Sequence, residues 1–234
     1  MHSPENILSV KGLNGGYGRS QVLFDVNMSA RRKGGVAILG RNGAGKTTLL
    51  KTLAGELKAM SGEIVLDGMQ AMAVSPERRI QHGLGYVPQE QAVFAKLTVR
   101  ENLNLGAIKQ KDKSGIDQVL DFFPKLAQRL SQPAGTLSGG ERKMLAISRA
   151  LLGKPTVLLL DEPTEGVWVG VIEEIADRLT ALAEQISVVI VEQHVELALR
   201  VADYAYVMDR GQIALEGTAA SIKGDPRLLR YLAP

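Results

Sequence analysis

Val36-Ala37-Ile38-Leu39-Gly40-Arg41-Asn42-Gly43-Ala44-Gly45-Lys46-Thr47-Thr48 is the stretch on which the fold turns. Its first four residues are apolar without alternation, the pattern of a strand buried on both faces of a parallel sheet. Gly40 to Thr47 fit G-x-x-x-x-G-K-[ST] in full. Thr48-Leu49-Leu50-Lys51-Thr52-Leu53 then reads as a helix. Glycines let backbone N–H groups curl around phosphate oxygens, and a helix start adds a field that favours anions. Gly40, Asn42, Gly43, Gly45, Lys46, Thr47 and Thr48 are therefore candidate contacts to the phosphates of ATP. Lys46 is expected to reach the β- and γ-phosphates, and the Thr47 hydroxyl to hold Mg²⁺.

Two more runs, Val157-Leu158-Leu159-Leu160 and Val188-Val189-Ile190-Val191, share the buried-strand pattern. The first ends in Asp161-Glu162. A carboxylate at the end of a buried strand is costly unless it serves a cation. Asp161 is the expected Mg²⁺ partner, and Glu162 is placed to orient and polarise an attacking water. Between these motifs lies Leu137-Ser138-Gly139-Gly140-Glu141. Ser138 and Glu141 read as a capping box. The same helix start, with the amides of Ser138, Gly139 and Gly140, is a second anion site.

The rest of the chain fills in an α/β architecture. Ile7 to Lys11, Val22 to Ala30 and Ile64 to Leu66 read as strands separated by Gly-rich turns. Ile172, Ile175, Leu179 and Leu182 share one helix face, as do Met144, Ile147 and Leu151. Residues 90–152 read as mostly helical, punctuated by Pro124 and Pro133. Tyr204 to Met208 and Gln212 to Leu215 flank Asp209-Arg210-Gly211, a hairpin turn.

This ordered set of motifs resembles the ATP-binding cassette family over essentially the whole chain. The resemblance implies a single domain spanning 1–234. Its P-loop NTPase core, about 1–89 and 153–234, would have a mixed, largely parallel sheet and an N-terminal antiparallel β subdomain. An inserted α-helical subdomain would cover about 90–152. It also implies a role for Tyr17 as the aromatic that stacks on adenine, for Gln89 as the loop glutamine that senses Mg²⁺ and water, and for His194 as the switch histidine on the γ-phosphate. Ser138, Gly139 and Gly140 would contact the γ-phosphate held by an opposing cassette. Trp168, the only tryptophan, stands where the family often has an acidic residue in a loop that crosses the cassette interface.

The Pro163-Thr164-Glu165-Gly166 segment, the run from Phe94 to Leu103 and Val191-Glu192-Gln193-His194 resemble one subgroup most. These are the second ATP-binding subunits of bacterial branched-chain amino-acid importers, with their urea and amide relatives. The implied partners are a second homologous cassette, giving a heterodimer with a homodimer as the alternative, two transmembrane permeases and, indirectly, a periplasmic solute-binding protein. Val93, Phe94 and Leu97 would form an apolar socket for a permease, with core packing an equal account of them. The implied location is the cytoplasmic face of the inner membrane. The alternatives are the ATPase of a lipid or lipopolysaccharide exporter and a soluble, non-transport cassette.

Bulk properties narrow the field. A chain of 234 residues with 45% hydrophobic content fits one large domain. Net charge is +3 with scattered basic residues, which argues against a nucleic-acid partner. The absence of cysteine excludes disulfides and thiolate metal sites. The N-terminus lacks the apolar core of a signal peptide. No apolar run approaches the ~18 residues of a membrane span.

Overall fold

The three unbroken apolar runs become neighbouring strands. A computed structural model describes residues 5–109 and 114–232. Its strands are β1 (Asn6–Tyr17), β2 (Ser20–Arg31), β3 (Gly34–Leu39), β4 (Ala59–Leu66), β5 (Met69–Gln70), β6 (Leu84–Val87), β7 (Val157–Asp161), β8 (Ser187–Val191), β9 (Tyr204–Asp209) and β10 (Gln212–Thr218). One sheet has the order β10-β9-β3-β8-β7-β6, parallel except for the β9–β10 hairpin. The other has the order β2-β1-β4-β5 and is antiparallel. This is the expected α/β architecture with a mixed core sheet and an antiparallel sheet built mainly from the N-terminal strands.

Alternate residues of the central strands enter two different cores. Ala37, Leu39, Leu158, Leu160, Val188 and Ile190 pack on one face with the helices described below. Val36, Ile38, Val157, Leu159, Val189 and Val191 pack on the other, against the antiparallel sheet and α1 (Lys46–Ala54). Two-sided burial is why these strands carry no polar positions before their ends.

The remaining helices follow in chain order: α2 (Pro76–Gln81), α3 (Val99–Gly106), α4 (Ser114–Phe122), α5 (Pro124–Ala127), α6 (Gly139–Leu151), α7 (Val169–Ala183), α8 (Val195–Val201), α9 (Ala219–Lys223) and α10 (Leu228–Leu232). Between Val99 and Leu151 the described regular elements are all helical, including a short 3₁₀ turn at Ala134–Thr136. Their apolar residues, such as Leu103, Phe123, Leu126 and Met144, join the core on one face of the parallel sheet.

Two features differ from the sequence reading. The glycines after Lys11 do not end the first strand. β1 runs on to Tyr17 through register shifts at Val10/Leu13 and Leu13/Gly15, so Gly12 and Gly15 lie within a bulged strand. The connection to β2 is Gly18-Arg19. At the other end of the chain the hairpin turn is as expected. Arg210 and Gly211, at φ 47° and 81°, give the doubly left-handed two-residue form. Gly211 also ties three segments together. Its N–H donates to Ala44 O at 2.9 Å and its carbonyl accepts from Phe24 N at 2.9 Å. A Cβ there would lie 1.8 Å from Val22 O.

Arg79 holds the far end of α1. It is 3% exposed, and its guanidinium donates to Thr52 O and Leu53 O at 2.7 Å each, and to Ala71 O and Val74 O. It thus satisfies the terminal carbonyls of α1 and pins them to the segments after β5. Arg79→Met leaves those buried carbonyls unpaired. The expected loss is on the order of 3 kcal/mol, read as a melting point roughly 10 °C lower. An unchanged thermal melt would refute the clamp.

Candidate functional site

Parallel pairing brings the ends of β3, β7 and β8 to one edge, and the candidate residues collect there. Gly40 leaves β3 at φ 149°, where a Cβ would meet Met208 O at 2.4 Å. Gly45, at φ 102°, caps α1. The first amides of α1 have no carbonyl partner within the helix and lie in the loop's concavity. Lys46 curls back over this loop. Its Nζ donates to Gly40 O at 2.8 Å and Arg41 O at 3.0 Å and lies 3.9 Å from Glu162 Oε1. Burial pulls its pKa down, and the carboxylates of Glu162, Asp161 and Glu192 oppose that pull.

Thr47 Oγ1 donates to Asp161 Oδ1 at 3.2 Å. Asp161 is 1% exposed, and its second oxygen, Oδ2, has no hydrogen-bond partner among the described residues. Burial is the main reason its pKa is pushed up to about 6; the charge of Glu162 adds to the rise, and the Thr47 bond opposes it. An orphaned carboxylate oxygen beside a threonine hydroxyl fits Mg²⁺, which takes one or two protein oxygens and completes its shell with water and phosphate.

Glu162 lies at the centre of an amide network. Gln89 Nε2 donates to Glu162 Oε2 at 3.0 Å and to Glu165 Oε2 at 2.7 Å. From the other side, Gln193 Nε2 donates to Glu162 Oε1 at 3.2 Å and to Asn42 Oδ1 at 2.7 Å. Gln193 therefore links the phosphate loop to the carboxylate. The chain leaves β8 at Val191, and the second side chain after it, Gln193, turns back over the strand ends. His194, the expected switch histidine on the γ-phosphate, follows as the N-cap residue of α8, exposed and without a side-chain cap bond.

Glu192 points the opposite way and is 1% exposed. It accepts from Thr164 N at 3.0 Å and from Thr164 Oγ1 at 2.6 Å. It thereby joins the segment after β8 to the loop after β7. Lys143 on α6 donates to Gln89 O and Glu162 O, both at 2.9 Å. Lys143 carried no motif signal, and Glu192 and Gln193 were read only as part of the Val191–His194 segment, with no role of their own.

Ser138 caps α6 in the expected capping box. Glu141 N donates to Ser138 Oγ at 3.2 Å, and Ser138 N to Glu141 Oε2 at 2.9 Å. Gly140 is buried because a Cβ would lie 2.5 Å from Val171 Cγ1, so part of its role is close packing of α6 on α7. Tyr17 ends β1 with its ring 47% exposed, free for a stacking partner.

A family model described as "ABC transporter" matches residues 23–165. The chain belongs to the ABC transporter family. A probable branched-chain amino acid transport ATP-binding protein, LivF of Archaeoglobus fulgidus, is 42% identical over 212 residues, covering 88% of this chain and 90% of that protein. The high-affinity branched-chain amino acid transport ATP-binding protein BraG of Pseudomonas aeruginosa is 40% identical over 216 residues, covering 91% and 93%. Among solved structures, the ADP conformation of MJ1267, an ATP-binding cassette of an ABC transporter, superposes with a TM-score of 0.86 at 28% identity, covering 98% and 99%.

The cassette is accordingly an ATPase that binds ATP and couples its hydrolysis to transport. ABC cassettes act as dimers within complexes that include permease subunits. In this cassette Trp168 is 77% exposed and the adjoining Val169 68% exposed, beside the start of α6.

Two variants test the neighbouring residues after β8. Gln193→Ala removes an amide donor from the Glu162 carboxylate and should lower kcat for ATP by about tenfold or more. His194→Ala, which removes the side chain expected at the γ-phosphate, should also lower kcat by about tenfold or more in the same steady-state assay while ATP binding persists. Undiminished turnover in either variant would remove that residue from its role.

Asp161 makes a prediction about stability without nucleotide or divalent ion. Its folded pKa of about 6 lies above the ordinary 3.8, so between these values the folded chain keeps a proton that the unfolded chain has released. Stability from this group is therefore lost as pH rises through that window. Asp161→Asn has no such group. The variant should melt level with the parent near about pH 4 and higher than it above about pH 6. A gap that is the same at both pH values would refute the buried charge.

Proposed function

We propose that this chain is the ATP-hydrolysing subunit of a bacterial importer for branched-chain amino acids or related small solutes such as urea and amides. The observation that carries the solute class is identity of 40% or more, over nearly the full length, to two cassettes named for branched-chain amino-acid transport. The chain would work at the cytoplasmic face of the inner membrane, beneath two permeases. It would pair with a second related cassette, and a periplasmic binding protein would deliver the solute. Among the described residues no helix is long and apolar enough to cross a membrane, so the reading places the solute path in the permeases.

The site residues suggest how the chain acts on ATP. Tyr17 would stack on the adenine ring. Lys46, released from Gly40 O and Arg41 O, would turn its ammonium to the β- and γ-phosphates, with the loop amides around them. Thr47 and Asp161 would hold Mg²⁺, which when bound neutralises charge on the phosphate oxygens. Glu162 would orient a water in line with the γ-phosphate and draw off its proton, with Gln89 and Gln193 fixing the carboxylate. Ser138, Gly139 and Gly140 would close on nucleotide held by the opposing cassette. Trp168 and Val169 would then be covered at the cassette interface, where aromatic residues concentrate binding energy.

A groove of about 940 Å³ runs between the parallel sheet and the helical segment, lined by residues including Ile80, Tyr86, Pro88, Leu105, Ile108 and Arg149. Its rim offers an apolar seat for a permease segment. Phe94 stands 51% exposed with the Arg149 guanidinium 4.6 Å over its ring, and in this reading it meets the permease. Val93 and Leu97 are only half-buried supports.

Gentle co-purification of the chain from its native membranes tests the transport reading. Two permeases and a second cassette are the expected companions. Lipid-export subunits, or a ribosome, would overturn it. Glu162→Gln tests the base: turnover should fall at least about a hundredfold while ATP binding persists and a nucleotide-trapped dimer accumulates on size exclusion. Undiminished turnover would remove Glu162 from that role.

A further inference from the structure

Glu162 has φ 47°, a left-handed backbone that a glutamate keeps only where its surroundings over-determine it. Three main-chain bonds do so, one of them the turn bond from Glu165 N to Glu162 O at 3.2 Å. Its N–H donates to Val191 O at 2.9 Å, which registers it against β8. Its carbonyl accepts from Lys143 Nζ at 2.9 Å. The same ammonium donates to Gln89 O, also at 2.9 Å. One lysine therefore grips the backbones of both residues whose side chains meet at Oε2 of Glu162.

Lys143 is the fifth residue of α6, the helix whose N-terminal turn carries Ser138, Gly139 and Gly140. A helix of this length moves as a rigid rod, so a shift of its N-terminus is carried to the lysine one turn on. The opposite end of the grip is just as fixed, because the flanking strands β7 and β8 are fully buried. Burial pulls the pKa of Lys143 down. The charges of Glu165, Glu192, Asp161 and Glu162 pull it up and favour an ammonium at this spot. A neutral apolar side chain here would leave the Gln89 carbonyl without its lysine donor and the Glu162 carbonyl with only the Glu165 amide, at 3.2 Å.

We propose that Lys143 is a positioning residue for hydrolysis, which couples the Ser138–Gly140 helix end to the placement of Glu162 and Gln89 in the same chain. The proposal rests on the reading of Glu162 as the residue that orients water. In a nucleotide sandwich, the helix end that closes on one ATP is thereby linked to the carboxylate that serves the other. The two sites then communicate through a single side chain, without a change of ligand at either.

The test uses the membrane complex that co-purifies with the chain, with Mg²⁺ and ATP. Lys143→Met should lower kcat roughly 10- to 100-fold, as expected for slight misplacement of a reacting group. KM for ATP and the affinity for a fluorescent ATP analogue should stay within about twofold, and the Hill coefficient for ATP should fall towards one. Lys143→Arg, which keeps a cation and two donors, should recover most of the rate. Lys143→Gln carries the same test if the methionine variant folds poorly; it keeps an amide NH2 on a shorter stem without the charge and should show the same loss confined to kcat. Wild-type kcat in either uncharged variant would overturn the proposal. So would a loss of ATP affinity in step with kcat that arginine fails to restore. Glu162→Gln with undiminished turnover would instead strike the underlying reading, so the two failures are distinguishable.

Discussion

Parallel pairing through β3, β8 and β7 imposes the constraint on which the site depends. Parallel neighbours end on the same edge, so the residues following Leu39, Leu160 and Val191 must emerge side by side. Burial on both faces forbids polar groups inside these strands. The polar chemistry is therefore concentrated in the first residues beyond them: the phosphate loop, Asp161-Glu162 and Glu192-Gln193. Close approach of unlike groups follows from strand register before any ligand arrives. Lys46 meets Glu162, Thr47 meets Asp161 and Asn42 meets Gln193.

Concentrating charge in this way creates an electrostatic problem that the neighbouring elements offset. Asp161, Glu162 and Glu192 are all almost fully buried. Lys46 reaches in from α1 and Lys143 from α6, while the neutral amides of Gln89 and Gln193 donate to Glu162 without adding charge. Among the described residues Glu192 has no ion pair; it is satisfied by the Thr164 amide and hydroxyl and by the Gln193 amide. Of these three carboxylates, only Asp161 has a buried oxygen without a hydrogen-bond partner among the described residues. That oxygen lies where a cation bound with nucleotide would satisfy it.

Much of this was legible in the sequence because the features are local. An unbroken apolar run, a glycine-lysine loop and a capping box each carry their meaning within a few residues, and Val36–Leu39, Gly40–Thr47 and Ser138–Glu141 fold as their patterns say. Features that depend on register were not legible. Gly12 and Gly15 look like turn residues, yet pairing with β2 and β4 holds them in a bulged strand. Gln193 has no chemistry that marks it out, and its return to Asn42 and Glu162 depends on where β8 stops. Lys143 is one of many surface-type lysines until the packing of α6 against the strand edge brings it to two main-chain carbonyls some 54 and 19 positions away in sequence.

The Arg210-Gly211 turn has a consequence for the order in which the molecule can be made. Ala44, in the middle of the phosphate loop, accepts its bond from Gly211, and Gly40 lies against the carbonyl of Met208. The loop is encoded early in the chain, but its outer wall is encoded more than 160 residues later. A nascent chain that has emerged only through β8 has the loop's sequence without the surface that shapes it. The loop's outer wall is complete only once the final hairpin has added its strand beside β3.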